Sequence, residues 1–463
     1  MTRAEATPEF ELPASDRAFL GHPKGLGYLS FVEACERFSY YSMQTLLVLY
    51  MVKYLLLPEH IGGVIGLDWL RSVHYRGLEG QPLASAIFGD YSSTVYLTPI
   101  LGGLIADRWL GRRITLILGG LIMALGHFLM AIEGAFLFAL LSLIVGVGLF
   151  KGNIASQVGE LYGENDLRRA MAFQIFYIAI NVSVIIAPLI SGTLGEKVGW
   201  HYGFGTAGVV MVAGLLLYIK AGPWLPDGSR PTLASKAAKK NLTAADLPRL
   251  FALLMLVPVL AVSLLTNQEI FNAYLVWADE QFQLTFFGVT LPTSYMITID
   301  AALSFSMLVA VATFWKWWGT RRQEPDELGK MIIGSLFCIA GGLCLVIAAA
   351  THGAAKIGLF WPLMFHLLNS IGFSNIMPVS LALFSKVAPR AIIATVIGIY
   401  YLAFFSANKI VGIVGGWYST MDTVQFWLLH VASAVVGLVG FVVLKLVLMK
   451  HLTQEPAPNQ PKT

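Results

Sequence analysis

Charge is what this 463-residue sequence has least of: 13% of it is Asp, Glu, Lys or Arg, against 56% hydrophobic residues. Soluble domains carry about 25% charged residues, so the polar surface a chain of this size needs in water is missing. A soluble globular enzyme is excluded. Cysteine is scarce too, and Cys35, Cys338 and Cys344 each sit in an apolar run. They build neither a disulfide framework nor a metal cluster. An excess of one charge sign is also lacking, since 31 Lys and Arg face 27 Asp and Glu, and no basic run is longer than a pair such as Lys239-Lys240. Nucleic acid, which needs a basic face, is not expected as a partner. The first 27 residues hold Pro8, Pro13 and Pro23 but no apolar core, so no cleavable signal peptide is expected.

Long hydrophobic runs fill the rest. A bilayer core about 30 Å thick asks for roughly 20 mainly apolar residues per helix. Twelve segments meet that measure: 28–56, 84–107, 113–132, 135–160, 168–195, 202–221, 249–278, 292–318, 328–351, 356–386, 391–416 and 423–449. The fold class is therefore an all-α membrane protein in a lipid bilayer. Three links are long: 57–83, with His74, Arg76 and Glu79; 222–248, with Pro223, Pro226, Pro231 and the basic Lys236, Lys239 and Lys240; and 279–291, which is short of charge. The middle link parts six helices from six. The expected organisation is an N-terminal segment 1–27, a six-helix bundle 28–221, a linker 222–248, a second bundle 249–449 and a tail 450–463. Cytoplasmic loops collect Lys and Arg. With both termini cytoplasmic, 23 of these residues fall on that side, 4 on the other and 4 within spans.

Six helices plus six, joined by a basic link, resemble the major facilitator architecture, whose halves are related by an axis along the membrane normal. The stretch GGLIADRWLGRR, residues 102–113, resembles that superfamily's loop signature between spans two and three. Gly103 and Gly111 are expected to let helices approach closely, and Asp107, Arg108, Arg112 and Arg113 to form an ionic gate at the cytoplasmic mouth.

An ionisable group inside a span costs at least about 2.5–3.5 kcal/mol, so each marks a functional-site hypothesis. The first span has the densest set, EACERFSYYSMQ from Glu33 to Gln44. At about 100° per residue, Glu33, Arg37, Tyr40, Tyr41 and Gln44 share one stripe, with Glu36 on its flank. Such a stripe lines a hydrated cavity or pairs with another helix. Its natural partner is Lys151, in GLFKGN of span four, flanked by Gly148 and Gly152. Proton exchange at the acids would link a gradient to opening and closing; static ion pairing between helices is the alternative.

The run E-x-x-E-R-F-x-Y-Y, Glu33 to Tyr41, resembles the signature of the proton-dependent oligopeptide transporter family. VYLTPILGG with Tyr96, FKGN with Lys151, FYIAINVS with Asn181 and RRQEPDELGKM from Arg321 to Met331 match family stretches in order. Relatives in bacteria commonly have two further helices between the halves, for which 222–248 is too short. The resemblance implies a proton-driven importer of di- and tripeptides working by alternating access. Glu33, Glu36, Arg37 and Lys151 would couple the proton, Lys151 and Arg37 would meet the peptide carboxylate, and Tyr40, Tyr41, Tyr96 and Asn181 would line the pocket. No cofactor is implied beyond protons as the coupling ion. The expected partner is a small peptide-like substrate, the expected unit a monomer and the expected site of action a bacterial inner membrane.

The sequence departs from the family at the peptide's ammonium end. The usual glutamate of span ten falls at Phe373, where Ser374 and Asn375 offer hydrogen bonds without charge. An arginine expected seven residues after Arg37 is Gln44, and its acidic partner in span seven aligns with Gln268, next to Glu269. An ion-pair gate is thus read as neutral. Asp300, in span eight, is either a replacement anion or gating acid facing Glu269 or Lys409, or a capped structural acid. Tyr400 and Asn272 stand where ligand contact or packing are equally expected. A ligand without a free α-amine, or a non-peptide such as nitrate or a carboxylate metabolite, stays open as an alternative. A membrane receptor or enzyme has no nucleophile constellation or phosphate loop to support it. Trp315, Trp317 and Trp318 beside Arg321 and Arg322 read as an interfacial anchor, Lys53 as a snorkelling lysine, and His127, His366 and His430 as unspaced for metal.

Overall fold

The computed structural model describes residues 16–163, 166–226, 247–353, 355–389 and 392–452; residues 1–15, most of the linker with Lys236, Lys239 and Lys240, and the tail beyond 452 lie outside the described residues. Each expected span has its helical rod. The first half holds α1 (Lys24–Tyr50), α2 (Gly80–Ile105), α3 (Arg112–Leu129), α4 (Phe136–Glu160), α5 (Arg168–Ala187) and α6 (Trp200–Lys220). The second opens with α7, broken into Leu247–Ser263, Leu265–Glu269 and Ala273–Gln281. It continues with α8 (Tyr295–Gly319), α9 (Glu327–His352), α10 (Phe360–Val387), α11 (Ile393–Gly415) and α12 (Thr423–Leu452). Nine helices among the described residues are both long and apolar enough to cross a bilayer. The 27-residue α1 and 26-residue α2 have the length, but their polar residues dilute the apolar content, and α7 is interrupted.

Several rods widen into a π turn at one end: α1 into Met51–Leu55, α2 into Ala106–Leu110, and α5 into Pro188–Gly192 and Leu194–Val198. Pro188 has no N–H to give to the preceding turn, which is where the widening starts. In the 279–291 link, β1 (Thr285–Phe286) and β2 (Val289–Thr290) pair antiparallel around Phe287 and Gly288, both at positive φ (51° and 78°). Positive φ at both central residues is the tight hairpin turn that suits strand twist.

Within the first half α1 packs on α5 and α6, and α3 and α2 on α4; within the second α9 packs on α10 and α12, and α7 on α11 and α12. The halves meet where α2 lies on α11 and α5 on α8. At the first of these crossings, a Cβ placed on Gly89 would stand 2.5 Å from the Cα of Gly412, so the backbones touch without side chains between them. The loop-motif glycines differ from expectation. It is Gly102 that packs on the Gly148 backbone, while Gly103 has open space around it, and Gly111 serves the turn by its positive φ of 77°. One helical position rotates a side chain by about 100°, which is enough to exchange the packing glycine for its neighbour.

The hydrogen bonds and ion pairs that join the halves cluster at the end away from the basic loops, called here the outer end. Asp90 of α2 pairs with Lys409 of α11. Lys53 bonds Asp279 at 2.8 Å, so it is an inter-half tie instead of a snorkelling lysine. Glu196 accepts from the backbone N–H groups of Thr293 (2.7 Å) and Ser294 (2.9 Å) at the start of α8. Gln81 donates to the Gly415 carbonyl, and Ser85 to Asn272, at 2.8 and 2.9 Å.

Candidate functional site

The charged stripe of α1 forms a single buried cluster. Arg37 Nε lies 3.1 Å from Glu33 Oε1 and 2.5 Å from Glu36 Oε2, and all three side chains are at least nine-tenths buried. Close as they are, the groups miss hydrogen-bond geometry: Glu33 Oε2, both oxygens of Glu36, and Nε and Nη2 of Arg37 have no hydrogen-bond partner. Buried polar atoms are nearly always paired.

Lys151 completes one side. Its ammonium lies 5.1 Å from the Tyr96 ring centre and 5.7 Å from that of Tyr40, and Arg37 approaches the same Tyr40 ring at 5.3 Å. Two cations thus share one phenol, a cation–π arrangement. No carboxylate among the described residues lies within ion-pair distance of Lys151, and the side chain stays half-buried. The glycines beside it explain its placement: Gly148 lies against Thr98, and Gly152 faces the Pro99 carbonyl, which brings α2 with Tyr96 close to α4.

Tyr41 packs edge-on to Tyr40 (5.2 Å) and reaches across to Phe271 of α7 (6.3 Å); Tyr96 stacks on Phe404 of α11 (4.9 Å) and lies 6.4 Å from Tyr401. The last three of these pairs span the interface between the halves. Asn181 is partly exposed and donates to its own helix at the Tyr177 carbonyl. Gln44 is buried with its oxygen unpartnered. Gln268 bonds Asn408 of α11 at 3.2 Å and not Gln44, so the neutral gate is not closed by that pair.

The second half differs from expectation at several positions. Tyr400 is buried in its own bundle, with its hydroxyl donating to the Met377 carbonyl at 3.3 Å; its neighbour Tyr401 takes the interface position. Glu269 is fully buried, accepting from Asn272 (3.0 Å) and the Ala273 N–H (3.1 Å) and meeting His430 (3.4 Å). It braces the break in α7. Asn272 then reaches Ser85 and the Val411 carbonyl, tying this brace to α2 and α11. Phe373 is half-buried, Ser374 donates to the Ser370 carbonyl, and Asn375 accepts from Trp315 at 2.8 Å. Asp300 faces neither Glu269 nor Lys409; it pairs with His366 of α10 at 2.9 Å, and His366 with Tyr274 at 2.7 Å.

In the loop motif Asp107 stands 3.7 Å from Arg112, which also pairs with Glu160 at the end of α4. Arg113 lies against Gly222 after α6, and Arg108 is exposed. Sequence reasoning missed Glu160, Asp90, Tyr91 (buried near Glu36 and Tyr40), Tyr401 and His366. Asp90 carried the one usable signal, an acid within an apolar run.

Comparison with known proteins gives a consistent picture. The model of the Major Facilitator Superfamily matches residues 29–412. An uncharacterized transporter, YclF, of Bacillus subtilis is 30% identical, covering 91% of this chain and 93% of its own. The peptide transporter YePEPT of Yersinia enterocolitica is 29% identical over 86% of this chain and 89% of its own. A crystal structure of the peptide transporter POT in complex with sulfate superposes with a TM-score of 0.80 at 25% identity, covering 94% and 96% of the two chains. A POT family transporter in complex with 5-aminolevulinic acid gives 0.80 at 22% identity, covering 95% and 99%.

Proposed function

The chain belongs to the proton-dependent oligopeptide transporter family of the major facilitator superfamily, a membrane transporter and not an enzyme, and from that premise we propose that it imports di- and tripeptides together with protons. The carrying observation is Lys151: a half-buried amine held over two phenols with no carboxylate among the described residues within ion-pair distance. An amine so placed waits for an anion. The C-terminal carboxylate of a peptide supplies one, and Arg37 beside the same Tyr40 ring shares the charge. Peptide transporters among the relatives support this substrate class.

Coupling follows from the charge balance. Two acids and two cations make the cluster neutral; a bound carboxylate adds a negative charge that a proton on Glu33 or Glu36 cancels. A protonated acid releases Arg37 toward the substrate, and losing the proton to the cytoplasm draws Arg37 back to its acids and expels the peptide. Substrate and proton then travel together, because either alone leaves an unbalanced charge at this buried cluster, away from the peptide's ammonium end. The working unit is a monomer in a bacterial inner membrane, with both termini cytoplasmic, the bundles 28–221 and 249–449 rocking about the site, and Asp107, Arg112 and Glu160 at the inner mouth.

Proteoliposomes under an imposed proton gradient test the reading. Trialanine accumulates against its gradient in wild type. Glu36→Gln and Lys151→Ala reduce gradient-driven uptake at least tenfold, with thermal unfolding unchanged. Full concentrative uptake by either variant removes the coupling assignment; absence of peptide flux in wild type removes the function.

A further inference from the structure

A peptide has two charged ends, and the first half of this molecule serves only one of them. Arg37 and Lys151 suit the carboxylate. The facing positions Phe373, Ser374 and Asn375 are uncharged, and an ammonium left in a low-dielectric site without an anion is costly. That leaves the buried acids of the second half. Glu269 is fully enclosed and engaged through both oxygens. Asp279 is taken by Lys53 and Thr293. Asp300 is different. It is 9% exposed; its Oδ1 meets His366 Nδ1 at 2.9 Å, and among the described residues no hydrogen bond engages its Oδ2.

The support behind Asp300 runs into the bundle core. His366 is fully buried and its Nε2 lies 2.7 Å from the hydroxyl of Tyr274, itself fully buried. A phenol that donates to Nε2 leaves the ring's remaining N–H to donate to Asp300. In that arrangement the carboxylate is held by one oxygen and keeps its charge. Ser304 of α8, one turn on, bonds Ser370 of α10 at 3.0 Å and fixes the two helices in register. On the facing side α8 lies against α5 of the first half, with Thr298 donating to the Ile185 carbonyl at 3.1 Å, so the helix that carries the acid borders the interface between the halves.

We propose that Asp300 is the anchor for the peptide's ammonium group, with His366 as its positioning residue. The proposal rests on the peptide-import reading and names the group that makes a free amino terminus matter. Peptide enters with its carboxylate on the Lys151 side and its ammonium on the α8 side, so that the two halves are bridged by the substrate's own dipole. Closure around a peptide is then favoured over closure around a monocarboxylate.

The test measures inhibition of labelled trialanine uptake in proteoliposomes by unlabelled trialanine and by N-acetyl-trialanine. In wild type the free-amine form inhibits at least tenfold better. Asp300→Asn closes that gap to within twofold through weaker inhibition by trialanine, with N-acetyl-trialanine unchanged, and Asp300→Glu restores most of it. His366→Gln, whose amide still donates, keeps the preference, and His366→Phe loses it. A tenfold preference surviving in Asp300→Asn overturns the anchor while leaving peptide import intact. Equal loss of both inhibitors in Asp300→Asn marks the acid as structural and also overturns it. If wild type takes up no trialanine, the import reading fails, and the anchor with it.

Discussion

The two ends of the molecule are held by different kinds of interaction. At the outer end the ties cross from one half to the other: Lys53 to Asp279, Asp90 to Lys409, Glu196 to the start of α8, Gln81 to Gly415. At the inner end the ion pairs that the structure shows among the described residues stay within a half: Arg112 with Asp107 and Glu160, Lys386 with Glu327, Lys445 with Asp326. Inter-half ties hold one state of a transport cycle and must break in the next, whereas intra-half pairs persist through both. A polar pocket lined by Lys53, Glu196, Trp200, Asp279, Thr293 and Lys356 sits beside the outer ties.

The strongest way to break this contrast is to wedge the α2–α11 crossing. Gly89→Leu forces side-chain atoms into the Gly412 backbone, and overpacking of this kind costs about 1–3 kcal/mol. The outer-closed state becomes roughly 5- to 150-fold rarer, and uptake falls by a similar factor. A Ser85→Cys reporter labelled from outside reads the change; unchanged labelling in the wedge variant removes the closure point. Lys409→Ala is milder. A partly exposed ion pair contributes about 1 kcal/mol or less, so labelling rises up to about fivefold. Arg112→Ala tests the other end. Its partners lie in its own half, so the melting temperature drops while outer labelling changes by less than about twofold.

Much of the fold was legible, because twelve apolar runs and a basic link need no partner to be recognised. The α1 stripe was legible for the same reason: acids and a guanidinium within an apolar run reveal themselves by cost alone. What escaped depended on rotation or on distant partners. Tyr400 and Tyr401 differ by one step around α11, and an aromatic run such as IYYLAFF does not say which ring faces inward. Asp300 was visible as a buried acid, but its partner His366 lies 66 residues on, a pairing that only the packing of α8 on α10 creates. The breaks in α7 fall at Leu264 and Ile270–Asn272, where ordinary helix formers conceal them; the brace from Glu269 to Asn272 compensates for the interruption.

The smallest expected effect concerns pH at the inner end. His22 Nδ1 meets the Tyr162 hydroxyl at 2.8 Å, and Arg168 bonds the Gly21 carbonyl at 3.3 Å, so the approach to α1 is clasped to the α4–α5 loop. Burial, with the Arg168 charge added, holds the His22 imidazole below its ordinary value. The clasp therefore lends stability that is present above the usual histidine value near ~6.5 and is lost as pH falls through the lower folded-state value. Protection of residues 19–24 from hydrogen exchange, taken relative to the intrinsic rate at each pH, falls on acidification below ~6.5, and His22→Asn flattens that response. Outer labelling stays constant over the same range if the two ends are independent.

The bare meeting of Gly89 and Gly412 sets a kinetic condition on turnover. Two peptide backbones that touch with no side chains between them part and rejoin without any rotamer having to be found again. Elsewhere in the outer seal each ionic tie must recover its water on opening and shed it on closing. The glycine crossing has little to rehydrate, so it is suited to part last and to close first, a fulcrum whose smoothness limits how fast the gate swings.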